Sequence, residues 1–194
     1  VDKDALDELY YPTSEHLEYW LPESQAAWVN PDAKLPLYDP ATANTILNAA
    51  GYTYMTDQPT PAGWYDPDVP GSQPYYRKDP GTNLRMADFD YVTRPQAESP
   101  LYYEMSMIVM EKLHAMGIPA VLKPTTWTMI VSILTNTDPL DYRLMTGVGI
   151  VWGSPAPDIL YSFFKSTQTP LWNFWCYSNP DVDYWCAQMK ATLD

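Results

Sequence analysis

Apolar positions along this chain switch between a helical and a strand period, and proline or glycine marks each switch. The clearest helical stretch follows Ser99-Pro100, where Leu101, Met105, Ile108, Val109, Leu113 and Met116 recur at three- and four-residue steps until Gly117. Such steps put the side chains on one face of an α-helix, with proline at the first helical position and glycine just past the last. A second helix is predicted from Asp39, as N-cap, and Pro40. Its face is Ala43, Ile46, Leu47 and Ala50, and Gly51 ends it. Shorter helices are predicted over Asp2 to Tyr10, Thr125 to Leu134, Pro157 to Lys165 and Pro180 to Leu193.

Strand patterns fall between these helices. Thr82 to Val92 is predicted extended, with Leu84, Met86 and Phe89 inward; Ile118 to Lys123 and Tyr142 to Trp152 follow, the last running into Gly153-Ser154-Pro155. Strand, helix and strand in succession predict a βαβ unit with a right-handed crossover between parallel strands. The alternation as a whole is α/β. Tyr11 to Leu37 has prolines and little periodicity, so an irregular excursion is expected there. Thr56 to Pro80 is proline-rich without an apolar period and reads as a long loop, which is either functional or mobile. No internal repeat is present.

Length and charge narrow the classes. The 194 residues suit one domain of ordinary size, and the 46% hydrophobic content is enough for a packed core. A net charge of −13 argues against a nucleic-acid binder, which needs clustered Lys and Arg. The longest apolar run, Leu144 to Trp152, falls far short of the roughly 20 residues of a membrane helix. Twenty prolines are about twice ordinary usage. The 16 tyrosines and 8 tryptophans far outnumber the 4 phenylalanines. Rings with an apolar face and a polar tip suit binding clefts, and equally the loops of a proline-rich extracellular protein. The chain starts at Val1 with no signal sequence and stops at Asp194, so a piece of a longer protein is expected.

Catalytic motifs are scarce. The histidines are His16 and His114, and His114 lies off the apolar stripe of its helix, where a surface position fits better than a general base. No G-x-S-x-G turn, phosphate-binding glycine loop, H-E-x-x-H or C-x-x-C spacing occurs, so no catalytic residue, metal site or cofactor is assigned. In an extracellular chain the even cysteine count favours a disulfide between Cys176 and Cys186, with two buried free thiols as the alternative. Closing so short a loop contributes roughly 2–3 kcal/mol by the loop-entropy model. The carboxylates read mostly as a solvated surface. A glycan hydrolase would use two of them across a cleft, with one pKa raised, and the sequence does not single out such a pair.

Residues 1–6, 38–52, 79–84, 113–118, 141–158 and 177–183, taken in order, resemble segments of the family 5 extracellular solute-binding proteins, the peptide and nickel group serving ABC importers. Val1-Asp2-Lys3-Asp4-Ala5-Leu6 is similar to their "IDRDAI" helix, and Tyr38-Asp39-Pro40-Ala41 through Ala49-Ala50-Gly51-Tyr52 to "YDPEKAKQLLAEAGY". Asp79-Pro80-Gly81-Thr82-Asn83-Leu84 resembles the "DG-x-x-L" turn, and Leu113-His114-Ala115-Met116-Gly117-Ile118 the "L-x-x-IGI" junction. Asp141-Tyr142-Arg143-Leu144, with Trp152 and Pro157-Asp158, resembles "DYD…W…DPD"; Tyr177-Ser178-Asn179-Pro180-Asp181-Val182-Asp183 resembles "YSNPEVD". The proline-rich loop falls where the family varies.

The resemblance implies one lobe, residues 1–194, of a two-lobed type II periplasmic-binding-protein fold, with βαβ units on a mixed sheet and long Pro-rich loops. It implies a non-enzymatic receptor, extracellular or periplasmic and anchored as a lipoprotein when full-length. Such a receptor takes a small-molecule solute, an oligopeptide or an oligosaccharide, between two lobes and delivers it to ABC permease subunits. Hinge closure would work by population shift, since ligand touches both lobes only in the closed state. The expected ligand contacts are Trp152, Gly153 and Ser154, then Asn173, Trp175 and Tyr177, with Trp127 as a further candidate. Peptide-carrying relatives place an aspartate shortly after the tryptophan to take the peptide amino terminus. Here Gly153 to Pro157 hold no carboxylate, and Asp158 is the nearest one that could serve. An aromatic-lined glycan hydrolase and a plain surface interaction domain are the rival readings.

Overall fold

A computed structural model describes residues 23–135, 144–145, 159–169, 172–174 and 176–193. The described residues fall into two units, one holding residues 37–126 and 144–145, the other 23–36, 127–135 and those from 159 onward. The helix expected over residues 2–10, His16, and the strand expected beyond Met145 lie outside the described residues.

In the first unit, helix α1 (Pro40–Ala49) begins as its sequence dictates: the Asp39 carboxylate accepts hydrogen bonds from Thr42 N (2.9 Å) and Thr42 Oγ1 (2.6 Å). These bonds hold the Asp39 carboxyl below the usual carboxylate range. The face expected of α1 is rotated. Leu47 turns inward as expected, but Ala43, Ile46 and Ala50 are exposed and Asn44 turns inward with Leu47.

The stretch expected as one long loop is bracketed by an antiparallel pair, β1 (Tyr54–Pro59) and β2 (Tyr75–Arg77). Proline punctuation hid these strands, because the pair is short and its register shifts between Tyr54 and Pro59. The next strand is shorter than expected: β3 spans Phe89–Thr93, and Leu84 is exposed rather than inward. Residues before it make an isolated bridge, Lys78 to Arg85, at the end of a turn in which the Asp79 carboxylate accepts from Gly81 N and Thr82 N.

Helix α2 (Pro100–Ala115) and strand β4 (Ala120–Pro124) complete the predicted βαβ unit, with β3 and β4 parallel from Phe89↔Ala120 to Thr93↔Pro124. β5 (Leu144–Met145) is parallel to the other side of β3, so the order is β4-β3-β5. A central parallel strand is covered on both faces, and Tyr91, Val92 and Thr93 are accordingly all buried. Ser106 of α2 is buried against this strand, its hydroxyl within hydrogen-bond distance of both Thr93 Oγ1 (2.7 Å) and the Tyr102 carbonyl (2.6 Å). Val69, Ala115 and Met116 form a core cluster with Leu47 and Ile118 packed on it.

The second unit contains a 3-10 turn (Glu23–Trp28) within the expected irregular excursion, then α3 (Trp127–Leu134), α4 (Ile159–Phe164), a 3-10 turn (Ser166–Gln168) and α5 (Pro180–Leu193). Ile130 is fully buried, whereas Trp127, Met129 and Val131 remain exposed. No described helix is long and apolar enough to cross a membrane.

Candidate functional site

Among the expected ligand contacts, Trp152, Gly153, Ser154, Asp158 and Trp175 lie outside the described residues. Asn173, Tyr177 and Trp127 are described. Asn173 is fully buried, and its side-chain nitrogen donates to the carbonyls of Tyr177 (2.7 Å) and Lys165 (3.2 Å). Its Oδ1 accepts from Tyr177 N (3.0 Å). The Asn173 amide therefore holds the loop between α4 and α5 in shape, and it brings Asn173 and Tyr177 together. Trp127 opens α3 and is 41% exposed.

Aromatic rings build this loop outward from a buried Phe163. The ring meets Trp172 at 6.2 Å and Phe174 at 6.0 Å, both edge-to-face, and Phe164 meets Tyr177 at 6.3 Å. Trp172 and Tyr177 keep exposed faces. The loop thus offers stacking surfaces on a base fixed by hydrogen bonds.

Asp183 ties α5 to the same loop, accepting from Ser166 N (2.7 Å) and Ser166 Oγ (2.5 Å). The Ser166 hydroxyl and amide hold its carboxyl below the ordinary 3.8. A carboxylate depressed in the folded state contributes stability above its unfolded value, and the contribution is lost as pH falls through the folded one. The stability advantage of the native chain over Asp183→Asn is therefore expected at neutral pH and absent once acidification protonates the carboxylate. Urea unfolding of both at the two pH values measures it, and a pH-independent difference would refute the assignment.

Cys176 and Cys186 are free thiols, which corrects the expected bridge. Cys186 is buried on α5 and its Sγ lies 3.9 Å from the Leu160 carbonyl of α4, while Cys176 sits in a left-handed conformation at φ 47°. Burial, and then the nearby Asp183 charge, push the Cys186 thiol up.

His114 also departs from expectation. It is half-buried, its ring stacked on Trp64 at 3.6 Å and parallel within 5°, with Nε2 2.8 Å from the Ala120 carbonyl. The proline-rich segment supplies Trp64 as the cover that helix periodicity alone could not reveal. Arg77, to which no motif or periodicity points, is also buried. Arg77 Nε donates to the Met116 carbonyl (2.6 Å), Nη1 to Asn48 Oδ1 (3.0 Å) and the Tyr52 carbonyl (2.5 Å), and Nη2 to Asn44 Oδ1 (2.5 Å). Its guanidinium lies over the Tyr54 ring at 4.1 Å. Burial pushes the Arg77 guanidinium down and the Tyr54 phenol up from their ordinary values. No group of three or more metal-binding side chains occurs among the described residues.

No protein-family model matches the sequence, and no curated protein matches it. Solved structures do. The chain is similar to the oligopeptide-binding protein AppA from Bacillus subtilis in complex with a nonapeptide, at 17% identity and a TM-score of 0.67 over 97% of this chain and 33% of that one. NikZ from Campylobacter jejuni in complex with Ni(L-His) matches at 18% identity and a TM-score of 0.66, with the same coverage. A periplasmic oligopeptide-binding protein of an ABC transporter from Thermotoga maritima, bound to mannohexaose, matches at 18% identity and a TM-score of 0.55 over 77% of this chain and 24% of that one. The chain spans about a third of the length of the first two. The fold is α/β and that of part of a type II periplasmic binding protein, consistent with one lobe.

Proposed function

We propose that residues 1–194 form one ligand-binding lobe of the solute-binding component of an ABC importer. The component captures an oligopeptide or similar small solute between two lobes and delivers it to the permease, outside the cytoplasmic membrane and held there by a lipid anchor. The fold likeness to AppA over 97% of the chain carries this reading. The segment resemblances along the sequence support it as well. The chain itself is proposed to be non-enzymatic and to need no cofactor.

Trp152, Gly153, Ser154 and Asp158, with Asn173, Trp175, Tyr177 and Trp127, are the proposed ligand-facing set. Within it Asn173 acts by shaping the loop and Tyr177 by its exposed ring. Because residues 153–157 carry no carboxylate, a peptide amino terminus would be held by another group, Asp158 first.

Native mass spectrometry of the full-length protein from its own host tests the reading. Peptides released on denaturation are the expected result, and oligosaccharides would support the receptor with a different cargo. An empty protein that degrades added glycans would overturn it.

A further inference from the structure

We infer that the first unit contains a second small-molecule site, a cleft between α1 and α2 that takes an apolar ligand bearing one carboxylate. The inference goes beyond the receptor reading and holds whichever solute the whole protein carries. It starts from a packing deficit. α1 buries no residue fully, although Leu47 rests on the core cluster of Val69, Ala115 and Met116. Between the helices remains a cavity of about 240 Å³, walled by Leu47, Val109, Leu113 and Met116 and by Val69 and Ile118. An apolar cavity of roughly 150 Å³ already admits benzene, so this one holds a ligand of greater length. Leu37, which also lines it, is 90% exposed and stands where it can lie over an occupant.

Charge selects the ligand's head group. The ionisable acid and base among the lining residues, apart from Tyr38, are Asp39 and Lys112. Asp39 is committed, since its two oxygens accept from Thr42 N and Thr42 Oγ1 at the start of α1. Lys112 has no carboxylate within ion-pair distance among the described residues. It lies in the last turn of α2, where the helix dipole favours a cation. A half-buried lysine lining an apolar cleft is matched by a carboxylate at the end of an aliphatic chain.

Octanoate is the probe, added to the full-length protein and followed by methyl NMR, with 1-octanol as the uncharged equivalent. Saturable shifts confined to the methyl groups that line the cleft, those of Leu37, Leu47, Val69, Val109, Leu113, Met116 and Ile118 among them, are expected, with octanol binding at least roughly fivefold more weakly. Lys112→Gln should bring octanoate down to the octanol affinity, and Ala43→Leu, which grows into the cleft from α1, should abolish both. The octanol comparison needs no variant, so a misfolded mutant leaves the test intact. Equal affinities for acid and alcohol, shifts elsewhere, or no saturable shifts would each overturn the site. None of these outcomes bears on the receptor reading, which native mass spectrometry decides.

Discussion

Arg77→Met is expected to destabilise the first unit by about 3 kcal/mol, a large fraction of the stability of a domain this size. Arg77 is completely buried, and four hydrogen bonds tie its guanidinium to α1, to the Tyr52 carbonyl behind it and to the end of α2. Methionine fills a similar volume but leaves Asn44, Asn48, Tyr52 and Met116 with acceptors that have lost a donor. An acceptor orphaned in the interior costs roughly 1–3 kcal/mol, less where water can reach it. Hydrogen exchange of amides in α1, β2 and the end of α2 reads the loss. Arg77→Lys sharpens the test. Lysine keeps the charge, but its donors radiate from a single nitrogen and cannot span acceptors on three segments. It is expected to recover less than half of the loss, and a neutral lysine variant would show that charge rather than the fork is what matters.

Gly117→Ala is the second large effect, expected at about 3 kcal/mol. Gly117 sits at φ 73°, a region that costs an L-residue roughly 1–2 kcal/mol. A Cβ there would also lie 2.5 Å from the Tyr75 carbonyl oxygen and 2.9 Å from Tyr54 Cε1. The carbonyl belongs to β2 and cannot move without disturbing the strand. Chemical denaturation measures the change, and a loss below about 1 kcal/mol would mean that the backbone relaxes freely. The two sites are coupled, because Arg77 N donates to the Gly117 carbonyl (3.1 Å). The double variant should therefore lose less than the sum of the single ones.

Elements with local punctuation were legible in the sequence. Asp39-Pro40 and Gly51 delimit α1, Ser99-Pro100 and Gly117 delimit α2, and Pro180 opens α5 where predicted. Each signal acts within one turn, through a cap, a fixed φ or a missing Cβ. Strands β1 and β2 were not legible, since their pairing joins residues about twenty apart across a proline-rich stretch whose composition argues for a loop. Leu84 illustrates the same gap from the other side: alternation put it inward, while the strand that pairs begins only at Phe89.

Site residues divide in the same way. Asn173 was expected as a ligand contact under the resemblance, and only the folded loop reveals its amide donating to Lys165 and Tyr177. The α1 face was predicted from apolar spacing, yet Asn44 turns inward because Arg77, far along the chain, needs an acceptor there. His114 lacked an apolar period and gained a cover in Trp64. By itself, the sequence determined the α/β alternation, the helix boundaries, the acidic surface and the resemblance to solute-binding proteins, because these depend on short-range sterics and composition. Tertiary structure alone decided the buried Arg77 hub, the free Cys176 and Cys186, the His114 stack and the cleft beside Lys112. Each of these depends on which distant groups share one volume, and spacing along a chain does not encode that.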